Sequence, residues 1–289
     1  MPNTIIGFIG LGQMGAPMAS NLNSASYQVI GYDINLASDI DVPVANSINA
    51  LAQQADIIIT MLPDGAASND VAEQILPHMR QDTLLIDCST IDVATAQSVG
   101  AKAVKAGIGF LDAPVSGGIT GASAASLTFM VGGSAVDMAK AIPLFDIMGN
   151  KAVHCGDIGA GQIAKICNNM ILGATMIVTC EAFDLADRLG LDRQKMFDVV
   201  STSSGYSWSM NAYCPAPGIG PTSPADNDYK PGFSADLMLK DLGLALEAAD
   251  QAGVHPQIGA HAKQIYDEFV KTTGKGKDFS AILPWLHDS

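Results

Sequence analysis

Lys165 and Asn169 stand four residues apart, a spacing that puts both on one face of a helix with Asn168 beside them. Their neighbours Ile163, Ala164, Ile166, Met170 and Ile171 are apolar. An amine withdrawn from water loses its preference for the charged form, which qualifies a lysine as general base toward a hydroxyl and as general acid in reverse. The same spacing suits a solvated first turn with Lys165 in water, and the residues alone do not choose. A second polar set, Asp112-Ala113-Pro114-Val115-Ser116-Gly117-Gly118, follows an apolar run at 108–112. Ser116 with the amides of Gly117 and Gly118 has the makings of an anion nest for a carboxylate, although glycines that serve only a turn produce the same string. Lys240-Asp241 supplies a second cation inside a helical pattern; by itself such a pair is most often a surface ion pair.

A third constellation opens the chain. Gly10-Leu11-Gly12-Gln13-Met14-Gly15 closes an apolar run and precedes a helical segment. In that context Gly10 serves the tight turn, Gly12 the close approach of backbone to a pyrophosphate, and Gly15 the packing of helix on strand. The glycine pattern is weak evidence alone. It gains weight from Tyr27-Gln28-Val29-Ile30-Gly31-Tyr32-Asp33, a second strand ending in an acid roughly 20 residues on, where a ribose-binding carboxylate is expected. Asp33 would accept from the ribose hydroxyls and repel a 2′-phosphate, and 34–38 hold no arginine, so NAD is expected over NADP. The competing reading is an Asp that merely ends a strand.

Positioning these groups requires a sizeable core, and 289 residues at 48% hydrophobic suffice for two domains. The formal charge of −14 argues against an extended nucleic-acid or anionic-membrane surface. Five cysteines without a Cys-x-x-Cys pair fit reduced thiols, and five scattered histidines suggest no metal site. The first strand begins almost at Met1, so no targeting segment is expected and a cytoplasmic setting is. Arg80, Arg188 and Arg193 are the only arginines and none lies in a candidate motif, which favours a small carboxylic acid over a sugar phosphate.

Short β-branched runs at 56–62, 83–87, 108–112 and 127–131, separated by helical lengths, predict an α/β fold with a Rossmann-type doubly wound parallel sheet. Strand character ends near 153–155. The expected organisation is a NAD-binding domain over residues 1–162 and an all-helical domain over 163–289. A single helix from Gln162 to Leu189 joins them, interrupted by nothing stronger than Gly173. Its apolar stretch Met170 to Cys180 is too short to span a membrane and is expected to be a buried core helix. Tyr213 to Gly232, rich in Pro and Gly, is expected to be a long structureless insertion, either a lid or an oligomer contact.

Taken together the motifs resemble those of the β-hydroxyacid dehydrogenase family over essentially the whole chain. The likeness rests on the run Phe8 to Leu22, Asp112 to Gly118, Gly159 to Asn169, Lys240-Asp241-Leu242 and Asp278-Phe279-Ser280-Ala281. The resemblance implies Lys165 as catalytic lysine, Asn169 as substrate-orienting amide, and Ser116, Gly117 and Gly118 as carboxylate site. It implies cofactor contacts from Gly10, Leu11, Gly12, Gln13, Met14, Gly15, Asp33, Leu62, Pro63, Thr90, Phe233 and Lys240. Ala67 departs from the pattern, since relatives often carry Asn there. The segment before Gly232-Phe233, and the lack of an Asn-Arg pair near Asp33, favour the hydroxyisobutyrate branch over tartronate semialdehyde and glyoxylate reductases. The implied activity is NAD-dependent oxidation of (S)-3-hydroxyisobutyrate to methylmalonate semialdehyde in valine degradation, by a homodimer or homotetramer; burial of the lysine and repulsion from the oxidised nicotinamide would keep the amine deprotonated, so oxidation is expected to improve at alkaline pH. The alternatives are the same chemistry on serine, glycerate or 3-hydroxypropionate, and a redox-inactive dinucleotide-binding protein.

Overall fold

The computed structural model describes residues 4–35 and 40–288. Of the arginine-free run after Asp33, 36–38 therefore lie outside the described residues. The chain divides into two compact units, Met1–Lys165 and Ile166–Ser289.

The first unit alternates strand and helix: β1 (Ile5–Ile9), α1 (Gly15–Ser24), β2 (Gln28–Tyr32), α2 (Ile48–Gln54), β3 (Ile57–Thr60), α3 (Gly65–Ile75), β4 (Leu84–Asp87), α4 (Val93–Lys105) and β5 (Gly109–Asp112). It continues through β6 (Val115–Ser116), α5 (Gly118–Ser123), β7 (Leu127–Gly133), α6 (Ala135–Met148) and β8 (Gly149–Gly156). Helices begin where short polar side chains hold first-turn amides: Ser47, Asp64, Asp92 and Ser134 each accept from the residue three positions on. The strands β2-β1-β3-β4-β5 form a parallel sheet. Ile57 and Ile59 enter the core on one face and Ile58 that on the other, which is why these strands read as continuous apolar runs. Beyond β5 the sheet becomes mixed. The short path through β6 and α5 never returns to the opposite sheet end, so β7 runs antiparallel to β5 and β6. After the full crossover α6, β8 lies parallel to β7.

The sheet order reverses at β1, with β2 on one side and β3 on the other. Open α/β sheets bind ligands at the carboxyl ends of strands beside such a switch point. Every candidate group of this unit follows a strand at that end, except Lys165, which a helix brings there.

That helix, α7 (Ala160–Arg188), begins in the first unit and continues into the second, where α8 (Arg193–Val200), α9 (Trp208–Asn211), α10 (Ala235–Gln251), α11 (Gln257–Phe269) and α12 (Ile282–His287) follow. The core of this unit includes Met176, Cys180, Phe183, Met238, Leu242, Tyr266 and Phe269. Gly173 does not interrupt α7; a Cβ there would press on Met238 Sδ at 3.0 Å, so its absence lets α10 pack close.

Two expectations need correction. Met170 to Cys180 is not buried all round: Met176 and Cys180 are in the core, while Ile171 is 62% and Val178 57% exposed, because only one stripe of the helix meets its own unit's core. The whole of α7 is long and apolar enough to cross a membrane by length and composition, and 44% of its most apolar window is buried inside the protein. Nor is Tyr213 to Gly232 structureless. It holds a short 3-10 turn at Pro224–Asn227 closed by a Ser223/Asp226 capping box. Ser223 Oγ donates to the Cys214 carbonyl at 2.7 Å, and Tyr229 Oη to that of Pro215 at 2.8 Å. Side-chain to backbone bonds supply the order that composition cannot show.

Asp278 anchors one end of this segment. One carboxylate oxygen accepts from Tyr213 Oη and the amides of Gly232 and Phe233 at 2.8, 3.0 and 3.1 Å, and the other from Ser280 N and Oγ at 3.0 and 2.6 Å. Phe233 then packs edge-on against Phe279.

Candidate active site

At the β1 end, Gly10 sits at φ 92°, and a Cβ would strike the Met61 carbonyl oxygen. Gly15 lies against the Gly10 carbonyl and Phe8, with no room for a side chain. Gly12 differs: a Cβ there would meet nothing within 4 Å. Nothing in the protein's own packing there excludes a side chain. Beside it α1 starts at Met14 without a side-chain cap, unlike α2, α3, α4 and α6. An exposed glycine before an uncapped helix N-terminus suits a phosphate. Gln13 is exposed there, whereas the Leu11 side chain belongs to the core.

Asp33, half-buried at the end of β2, accepts from the Leu11 amide at 2.6 Å and from the Asn35 amide at 2.8 Å. It both closes its own turn and braces the glycine loop. These residues fit a dinucleotide, with an open phosphate cradle and a carboxylate one loop away.

The loops after β3 and β4 are joined directly. Leu62 N donates to Ser89 Oγ at 2.8 Å, with Pro63 next to Leu62 and Thr90 next to Ser89. Beneath them Asp87 is buried and accepts from Thr60 Oγ1 at 2.8 Å and Ser89 N at 3.0 Å. Burial raises the Asp87 carboxyl above its ordinary value against the pull of these bonds, and raises the adjacent Cys88 thiol well above its own.

The start of α7 is held to the sheet by groups that sequence reasoning left without a role. Asp112, buried at the end of β5, accepts from the amides of Gly159 at 2.7 Å and Gln162 at 2.9 Å, acting as the cap of that helix. Desolvation pushes its carboxyl up to about 6, the two amides opposing. Gln162, fully buried, donates through Nε2 to the Ser89 carbonyl at 2.8 Å and accepts at Oε1 from the Ile91 amide at 3.1 Å. Both residues stood inside quoted motifs. The signal that marks them is a polar residue where the pattern demands an apolar one.

Lys165 is 7% exposed, which removes the solvated-turn reading. Its Nζ donates to the Val115 carbonyl at 2.7 Å, immediately before Ser116, Gly117 and Gly118. Gly117 and Gly118 adopt φ of 137° and 61°, conformations that favour glycine and turn the chain into α5. The lysine and the glycine turn therefore meet at one strand end.

In the second unit Asn169 is 2% exposed. Its Nδ2 donates to Asp241 Oδ2 at 2.6 Å, and its Oδ1 accepts from Asn168 Nδ2 at 2.9 Å. Asp241 Oδ1 has no hydrogen bond and lies 3.7 Å from Lys240 Nζ. Lys240-Asp241 is thus not a surface pair: Asp241 is buried, and the half-buried Lys240 neighbours it. Asp241 is a residue that the reading of the sequence noted only as a neighbour of the cation.

With this geometry in hand, comparison with known proteins is informative. Residues 5–156 match the NAD binding domain of 6-phosphogluconate dehydrogenase, and 159–286 the NAD-binding domain of NADP-dependent 3-hydroxyisobutyrate dehydrogenase. The chain is 46% identical to a probable 3-hydroxyisobutyrate dehydrogenase of Mycobacterium tuberculosis over 98% of both chains. It is 42% identical to an NAD-dependent L-serine dehydrogenase of Pseudomonas aeruginosa over 96% of both. The solved structure of Mycobacterium tuberculosis 3-hydroxyisobutyrate dehydrogenase with L-serine superposes with a TM-score of 0.93 at 46% identity, covering 98% of this chain and 99% of that one. The likeness runs the full length of both chains and includes the helical half, so the chain belongs to the 3-hydroxyisobutyrate dehydrogenase family, NAD-dependent oxidoreductases of small hydroxy acids.

Proposed function

We propose that the protein oxidises (S)-3-hydroxyisobutyrate to methylmalonate semialdehyde with NAD, and that Lys165 is its general base. The observation that carries this reading is the buried Lys165 amine on the Val115 carbonyl, beside the Ser116-Gly117-Gly118 nest. The nest holds the substrate carboxylate through the Ser116 hydroxyl and backbone amides. That places the substrate hydroxyl toward Lys165 Nζ, which takes its proton as the carbonyl forms, and the Val115 carbonyl keeps the amine aimed. NAD, when bound, accepts the hydride lost from the carbinol carbon. Asn169, oriented by Asp241, acts on the substrate oxygen. Gly10, Leu11, Gly12, Gln13, Met14 and Gly15 hold the pyrophosphate, Asp33 the adenosine ribose, and Leu62, Pro63, Thr90, Phe233 and Lys240 the rest of the cofactor. A 2′-phosphate next to the Asp33 carboxylate would be repelled, which supports NAD over NADP.

L-serine is the second reading, favoured by the similarity to the Pseudomonas aeruginosa serine dehydrogenase and to the structure with serine. We also infer a homo-oligomer: Ile171, Val178 and Leu185 form an exposed apolar stripe at heptad spacing on α7, the pattern of a helix that meets another copy.

The test is initial NADH formation at alkaline pH with racemic 3-hydroxyisobutyrate beside serine, glycerate and 3-hydroxypropionate, each with NAD and NADP. Dominant turnover of 3-hydroxyisobutyrate with NAD is expected. Dominant serine oxidation replaces the substrate, and preference for NADP defeats the Asp33 argument.

A further inference from the structure

The first turn of α7 is fixed to the sheet at three points within one unit. Asp112 holds its backbone amides, Lys165 reaches the Val115 carbonyl, and Gln162 bonds the turn after β4. The third attachment joins the loop that carries Thr90 to the helix that carries Lys165. Gln162 lies three residues before Lys165, on the same helix face. Its side chain is fully buried, and its amide orientation is dictated by its partners, since the oxygen must face the Ile91 N–H and the nitrogen the Ser89 C=O. Ser89 in turn accepts from Leu62 N through its hydroxyl, so the bonded chain runs from the β3 loop through the β4 turn to α7.

We propose that Gln162 is a positioning residue for catalysis: its carboxamide clamps the Ser89–Ile91 turn to the helix of Lys165 and so fixes the spacing between the cofactor edge at Thr90 and the proton-accepting amine. This rests on the reading of Lys165 and Thr90 given above. Neither an apolar nor an ionised side chain fits both partners. An apolar replacement leaves one donor and one acceptor buried without partners, and a carboxylate faces the Ser89 carbonyl with lone pairs. A protonated carboxyl supplies one donor and one acceptor, as the amide does.

The test compares Gln162→Met and Gln162→Glu with the wild type by NADH fluorescence titration, steady-state kinetics with substrate deuterated at the carbinol carbon, and amide hydrogen exchange. Gln162→Met is expected to leave the NADH dissociation constant within about threefold and to lower kcat by roughly 10- to 100-fold, the scale of a small misplacement of reacting groups. It should raise the isotope effect on kcat, and Ile91 N–H should exchange faster while Ile86 N–H does not change. Gln162→Glu should recover kcat relative to the wild type as pH falls. Unchanged kcat with unchanged Ile91 exchange overturns the proposal. So does an activity loss that follows the folded fraction with the isotope effect of the wild type. Should Gln162→Met fail to fold, the exchange and pH response of Gln162→Glu decide. A wild type that oxidises none of the hydroxy acids refutes the functional reading, whereas Ile91 exchange and NADH titration still judge the clamp.

Discussion

Lys165 Nζ donates to the backbone carbonyl of Val115 at 2.7 Å, a bond that links the start of α7 to the strand end where Ser116 begins the glycine turn. A backbone carbonyl accepts from the amine whether it is protonated or neutral. The bond therefore keeps the amine aimed at this strand end in either protonation state.

Removal of that amine should separate chemistry from binding. Lys165→Ala is expected to lower kcat by about 10²- to 10⁴-fold, the range of a positioned general base. The NADH dissociation constant should stay within about threefold. Substantial turnover in the variant, measured by NADH formation, would show that the proton leaves by another route.

The glycines of the first loop should divide by what surrounds them. Gly15→Ala forces a Cβ onto the Gly10 carbonyl, and overpacking of this kind costs about 1–3 kcal/mol, read as a lower denaturant midpoint. Gly12→Ala meets no protein atom, so it should unfold like the wild type while NAD affinity falls at least about tenfold. Equal loss of stability in both variants would refute the phosphate role of Gly12.

Asp112 makes a pH-dependent prediction. Its folded carboxyl titrates at about 6 against an ordinary 3.8, so between those values the folded state binds more protons than the unfolded one. Stability therefore falls as pH rises through that window, by about 3 kcal/mol at 1.4 kcal/mol per pH unit. Asp112→Asn cannot titrate, so the stability of the wild type minus that of the variant should shrink by about this amount from pH 4 to pH 7. Urea unfolding across that range checks it; a constant difference would show that the helix-capping amides cancel the burial.

Asp278 and Tyr213 test the helical unit. Asp278→Ala leaves the Gly232, Phe233 and Ser280 donors without their acceptor and should cost about 3–5 kcal/mol. Tyr213→Phe removes a single bond to that carboxylate and should cost about 1–2 kcal/mol. Thermal unfolding monitored by circular dichroism would rank them; equal effects would mean that the Tyr213 bond carries the whole contribution of the carboxylate.

Much of this was legible before folding was considered. Period and punctuation carry the alternation of strand and helix, because an inward-facing strand must be apolar and Ser or Asp caps the starts of α2, α3, α4 and α6. The glycines at 10, 12 and 15 and the acid at 33 are local in the same way, since a tight turn and a strand end are decided by a few adjacent residues. The long helix of 160–188 is likewise visible in its unbroken helical pattern.

Tertiary structure alone decided whether Lys165 faced water, because burial depends on what the sheet ends place around the helix and not on four-residue spacing. It also decided the partners of Asp112, Gln162, Asp241 and Asp278, whose bonds connect residues up to 73 positions apart. A buried polar side chain takes its meaning from the donor or acceptor that meets it, and sequence separation hides that partner. The same holds for the segment from Tyr213 to Gly232: its composition describes a loose loop, and the carboxylate of Asp278, contributed from far along the chain, ties part of it in place.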